Sequence, residues 1–173
     1  MKKVVLTYGL ISGAITSVLM AIWTGNNMDM DTGEIVGYTS IILSLSLVFF
    51  GIRSYREKLN GQITFGKAFK VGVLIALISS TCYVITWVII YYNFVPDFME
   101  RYSTHVIEKM KTKGASAHEM EEQMAKMQVY KEMYKNPLMV VALTFLECFP
   151  IGLLVALISA LILKKKSAPP AMA

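Results

Sequence analysis

Cysteine is scarce in this chain, and so is charge. Two cysteines among 173 residues cannot build a disulfide framework, which excludes a secreted disulfide scaffold. Charged residues make up 17%, where a soluble domain carries about a quarter. The apolar share of 55% and the mean hydropathy of +0.52 exclude a disordered chain. Strand alternation is missing as well, so a membrane barrel of alternating ten-residue strands is not expected. The net charge of +5 gives no support to nucleic-acid binding, because the basic residues sit mostly at the ends of apolar runs. Walker A, nucleophile-elbow, Rossmann and HExxH patterns are all absent, so neither an enzyme nor a cofactor is expected.

What the chain does have is four apolar runs, at 4–23, 35–52, 71–95 and 138–163. At about 1.5 Å per helical residue, such runs reach across a hydrocarbon core of roughly 30 Å. The first follows Lys2 and Lys3. It is too long for a signal-peptide core of about 7–15 residues and has no convincing A-x-A site after Trp23, so it reads as an uncleaved span. Asp31, Thr32 and Glu34 open the second run, and Thr64 is a candidate N-cap ahead of the third, which Pro96 closes. Asn136-Pro137 precede the fourth, and Lys164, Lys165 and Lys166 end it. The expected fold is an all-α membrane protein, a single integral membrane domain over 1–173 with four transmembrane helices.

Basic residues set the expected orientation. Lys2 and Lys3, then Arg53, Arg56, Lys58, Lys67 and Lys70, then the three terminal lysines all fall on one side. The first loop has no Lys or Arg but holds Asp29, Asp31 and Glu34. Both termini are therefore expected in the cytoplasm. Trp23, Tyr38, Trp87, Tyr91 and Tyr92 then fall near the outer interface, and Tyr8 and Tyr55 near the inner one. The basic residues of the second loop could also bind anionic headgroups, beside their ordinary role in topology.

Residues 97–137 read as an external amphipathic helical hairpin between spans three and four. Phe98, Met99, Tyr102, Val106 and Met110 share a face of its first helix, and Gly114 suits the C′ position. Ser116 and Glu119 spell a capping box for a second helix, with Met120, Met124, Met127, Tyr130 and Tyr134 on one face. Glu122 and Lys126 are spaced to pair on the other. The two faces can pack on each other, on the ends of the spans or on headgroups.

Several stretches are similar to a bacterial family: GQITFGKAFKVG from Gly61 to Gly72, YNFVPDFMERY from Tyr92 to Tyr102, KNPL from Lys135, and TFLECFPIGLLVALISALIL from Thr144 to Leu163. The chain resembles domain-of-unknown-function family 4199 over nearly its whole length. The resemblance implies four spans and a bacterial envelope setting. It implies no activity and carries over no catalytic residue.

Glu147 is the one charged residue inside any of the four runs, roughly 14 Å below the outer end of its own. A carboxylate at that depth is costly unless it is protonated, hydrogen-bonded or in contact with water. Ser17, Ser44 and the stretch from Tyr83 to Thr86 fall in the same layer by equal-depth counting. Pro150 removes the hydrogen bond to Leu146 and crowds its carbonyl, which should kink the helix beside the acid. One reading is a proton or cation site at a broken helix; the other is a protonated residue that joins helices.

Small residues recur every four positions: Gly9, Gly13, Ser17 and Ala21 in the first run, Ala68, Gly72, Ala76 and Ser80 in the third, Gly152, Ala156 and Ala160 in the fourth. They suit close helix packing, either within one bundle or between copies through Gly9 and Gly13. Met28, Met30, Met120, Met124 and Met127 have thioethers that suit Cu(I), yet Met120, Met124 and Met127 sit at the spacing of apolar helix contacts, so no metal site is expected. His105 and His118 lack a paired ligand motif, and Cys82 and Cys148 read as free buried thiols.

The functional expectation is a non-enzymatic structural or accessory protein of the bacterial inner membrane. Its partners are the lipid bilayer and a membrane or periplasmic protein met through residues 97–137, with no nucleic acid. The alternative is a small ion- or proton-coupled transporter or channel using Glu147.

Overall fold

The computed structural model describes residues 1–25 and 30–165, apart from the side chains of Met30, Glu34, Ile41, Ser44 and Leu45. Among the described residues the chain is helical. Its elements are α1 (Lys2–Gly25), α2 (Met30–Glu57), α3 (Phe65–Asn93), α4 (Phe98–Thr112), α5 (Ala117–Tyr134) and α6 (Pro137–Leu163). Three of them, α1, α3 and α6, are long and apolar enough to cross a membrane. Their outward faces are correspondingly greasy: Leu10 and Val18 on α1, Ile85 on α3, and Leu146, Leu154 and Ile162 on α6 are all exposed.

Helix ends follow the local chemistry. Asn136 accepts the Leu138 N–H at 3.0 Å, and Pro137 opens α6 where its missing N–H does no harm. Ser116 and Glu119 close a full capping box on α5. Gly114, at φ +75°, reverses the chain after α4, and the next N–H, on Ala115, donates back to the Met110 carbonyl. Thr64 stands at the N-cap of α3 in extended conformation without bonding through its side chain. The third apolar run extends to Val95, but α3 stops at Asn93, with Phe94 as its C-cap still bonding to the Ile90 carbonyl and Pro96 disfavouring helical geometry at Val95. α6, by contrast, continues as helix through Pro150.

α3 is the central helix. It packs most extensively on α6 and α1 and also meets α2, which touches α1 and α6 in turn. It is apolar on the sides that meet its neighbours and on the side that presents Leu77, Ile85 and Ile89 outward, as a helix between a packed bundle and lipid should be. Small residues make these contacts close. A Cβ added at Gly13 would stand 2.5 Å from the Cys82 Cβ, and one at Gly72 would stand 2.8 Å from the Ala156 Cβ. One core cluster, around Ile52, Ile63, Val71, Ile75 and Ala156, lies towards the lysine-rich end. A second, around Met20, Trp87, Tyr91, Met99 and Val140, lies towards the other end.

α4 and α5 pack on each other and return the chain to α6. The buried side of α4 centres on Met99 and Ile107, leaving Tyr102 at its margin with 40% exposure. Ile107 joins Met99 on this side, though it lies off the face that Phe98, Tyr102, Val106 and Met110 mark in the sequence, because it stands about two turns beyond Met99. On α5 only Met127 is buried among the described residues, while Met124 and Tyr130 are exposed. They sit roughly 60° to either side of Met127, outside the narrow stripe that α4 covers. Glu122 lies 3.7 Å from His118, not against Lys126.

Candidate functional site

Along α6 the buried stripe runs Val140, Thr144, Cys148, Gly152, Ala156 and Ala160. Glu147 stands one residue off this stripe, and that 100° rotation leaves it exposed beside exposed Leu146 and Pro150. Among the described residues nothing donates a hydrogen bond to its carboxyl. Electrostatically, though, it is not isolated. Its carboxyl lies near Tyr83 on α3, Cys148 on its own helix, and Tyr134, the last residue of α5. Tyr83 and Cys148 are also in side-chain contact with each other.

The hydroxyls counted into the carboxyl's layer are placed differently from one another. Ser17 and Thr86 share a 2.7 Å hydrogen bond between α1 and α3. Thr86 gives its one hydroxyl hydrogen to the Cys82 carbonyl at 2.9 Å, so Ser17 is the donor in that pair. One layer away, Ser12 and Ser79 make a similar link at 2.8 Å. Tyr83 is half-buried and packs against both core clusters. Ser44 lies outside the described side chains. Of the glycines singled out for packing, Gly9 and Gly13 stand against Ile78 and Cys82 of α3, Gly72 against Ala156 of α6 and Ile52 of α2, and Gly152 is buried.

Tyr134 and Cys148 join this neighbourhood although the sequence reading gave them other places. Cys148 was legible only as a buried thiol. Tyr134 comes close because the Asn136-Pro137 turn folds α5 back onto α6, which brings it to Trp87 and Thr144. Burial, and secondarily the Glu147 carboxyl, push the Tyr134 phenol up to about 12, so it remains a neutral hydroxyl. Tyr134 also meets Tyr91 edge-on at 5.4 Å, and Phe98 meets Trp87 edge-on at 4.8 Å. The base of the α4–α5 hairpin therefore closes over the end of the bundle that holds Glu147. Farther along α4, His105 and Lys109 reach Asp31 at the start of α2, at 3.4 and 3.3 Å.

The opposite end of the bundle is basic. Arg53 pairs with Glu57 at 3.2 Å, and the Arg56 Nε–H donates to the Gly61 carbonyl at 2.9 Å, which holds the α2–α3 turn. Asn60 and Gly61 in that turn both adopt positive φ, at 54° and 78°. The model of the family described as "Protein of unknown function (DUF4199)" matches residues 7–165, which includes both ends of the bundle. The chain belongs to the DUF4199 family. No curated protein and no solved structure matches it. The match extends from α1 through α6, so in this DUF4199 chain the hairpin and the Ile63–Lys165 pairing both lie within the family region.

Between α3 and α6, a groove of about 380 Å³ is lined by Thr81, Val84, Ile85, Val88, Ile89, Val141 and Phe145. Its walls are almost wholly apolar, which suits lipid chains better than ions. Glu147 is not part of its lining.

Proposed function

We propose that this DUF4199 chain is a multi-pass structural or accessory protein of the bacterial inner membrane, without enzymatic activity. In this reading α2 is a fourth span beside α1, α3 and α6. Both termini are cytoplasmic, and the α4–α5 hairpin lies outside and meets a membrane or periplasmic protein. The observation that carries it is how the bundle's interior is occupied. Small residues bring α3 against α1 and α6, and the interhelical hydroxyls there bond to one another. That chemistry serves cohesion. The apolar stretch 35–52 lies within α2, which packs on all three apolar helices, and this supports its reading as a span.

Reporter fusions test the topology. A phosphatase active only outside the cytoplasm should work when fused after Met110 and stay silent when fused after Lys166. The reverse pattern would overturn the arrangement. Purification in mild detergent tests the accessory role. A stoichiometric partner should copurify and be lost when residues 97–137 are replaced by a short linker.

A second reading has its own support. Glu147, Tyr83, Tyr134 and Cys148 form a titratable neighbourhood beneath the hairpin base. In that reading Glu147 carries protons or a cation. Flux into proteoliposomes that depends on pH and vanishes with Glu147→Gln would favour it over the structural role.

A further inference from the structure

We infer that the lysine-rich end of the bundle is a docking surface for anionic phospholipid headgroups. The inference rests on the reading above, which sets this end at a membrane surface, and goes beyond it by naming a ligand. It begins with a backbone contact. Ile63, in the α2–α3 loop, forms an antiparallel bridge with Lys165, whose N–H donates to the Ile63 carbonyl at 2.9 Å. The Ile63 side chain is 2% exposed and shares a core cluster with Leu163. The chain leaving α6 is thus held against the loop, which places Lys164 and Lys165 beside the segment that carries Lys58, Lys67 and Lys70.

Those five lysines are exposed, and among the described residues none has an acidic partner. The two arginines nearby are already engaged, Arg53 with Glu57 and Arg56 with the Gly61 carbonyl. Glu57, the last residue of α2, is taken up by Arg53. What is left is a set of uncompensated ammonium groups on a structured support, with exposed Phe65, stacked on Phe69, available for an acyl chain. Retaining positive charge in the cytoplasm requires only that lysines be present. It requires neither a turn built on positive φ nor a bridge across the loop. A headgroup phosphate between two chain segments benefits from both, since a held backbone brings the lysines of both segments together before binding.

The test uses the full chain in nonionic micelles, titrated with phosphatidylglycerol or phosphatidylcholine, with bound lipid counted by native mass spectrometry. Phosphatidylglycerol should be retained at least about tenfold more tightly, at roughly a fivefold gain per engaged lysine. The pairs Lys164→Gln/Lys165→Gln and Lys58→Gln/Lys67→Gln should each remove most of that preference. The pair Lys111→Gln/Lys113→Gln on α4 should leave it intact. Rising salt should weaken it in the wild type. Equal retention of the two lipids, or a preference untouched in both pairs at the basic end, would overturn the inference. Orientation plays no part in a micelle, so a reversed fusion pattern with the preference intact would sink only the topology.

Discussion

Glu147 combines a demand with a placement. In hydrocarbon a carboxyl is tolerated when it is neutral, bonded or wetted, and here no described side chain bonds to it. A residue whose partners are few can be replaced with little structural consequence. Glu147→Gln, which keeps the shape and the hydrogen-bonding capacity of the neutral acid, should change unfolding stability in detergent by less than about 1 kcal/mol. Glu147→Leu should do the same, since no described hydroxyl depends on the carboxyl and leucine suits lipid. A loss of about 1–3 kcal/mol on Glu147→Leu alone would reveal a polar group left unpaired, and so a bonded role. Thermal unfolding of the two variants side by side decides the matter.

The α4–α5 hairpin is an element whose attachment can be weighed by magnitude. Trp87 is nearly buried, at 7% exposure, and holds Phe98 edge-on. Losing such a side chain costs about 3–5 kcal/mol. Asp31 meets His105 and Lys109 in the open, with its own side chain 68% exposed, and such pairs contribute about 0–1 kcal/mol. The aromatic base, not the ion pair, therefore holds the hairpin down. Trp87→Ala should make α4 and α5 markedly more sensitive to limited proteolysis, and Asp31→Asn should leave the cleavage rate within about twofold. The reverse order would place the anchor at α2. The start of α5 carries a pH dependence of its own. The Ser116 backbone N–H, then its hydroxyl, bond to the Glu119 carboxylate and hold its pKa below the ordinary 4.5. A depressed folded value means the cap contributes fully above 4.5 and fades as pH falls through the folded value. The Ser116 amide resonance should titrate with a midpoint below 4.5, and a midpoint at or above it would show the cap is not made in solution.

At the scale of the whole molecule, the helices were largely legible because their signals are local. Apolar run length, the Ser116–Glu119 box, Gly114 and Asn136-Pro137 each act within a turn or two of where they stand in the chain. The contacts that define the candidate site were not, because each depends on segments far apart in sequence. Tyr134 reaches the Glu147 neighbourhood only once α5 turns back on α6, and Lys165 meets Ile63 only once three helices have packed. The same distinction applies to the glycine pair of α1. A GxxxG sequence reads equally well as a dimer contact or as an internal one. In the fold, a Cβ at Gly13 would lie 2.5 Å from the Cys82 Cβ, and one at Gly9 would lie 2.8 Å from the Ile78 Cβ, so α3 of the same chain occupies that face. Gly13→Leu should then lower unfolding stability by about 1–3 kcal/mol through overpacking, without changing the particle mass measured by light scattering. Gly66 is the control, because nothing lies within 4 Å of a Cβ added there. Gly66→Ala should leave the mass unchanged and raise stability by up to about 1 kcal/mol, since alanine has less freedom to lose in a helix. If Gly13→Leu instead halved the mass and spared the stability, the glycine face would belong to a second copy of the chain, and α3 would need another neighbour.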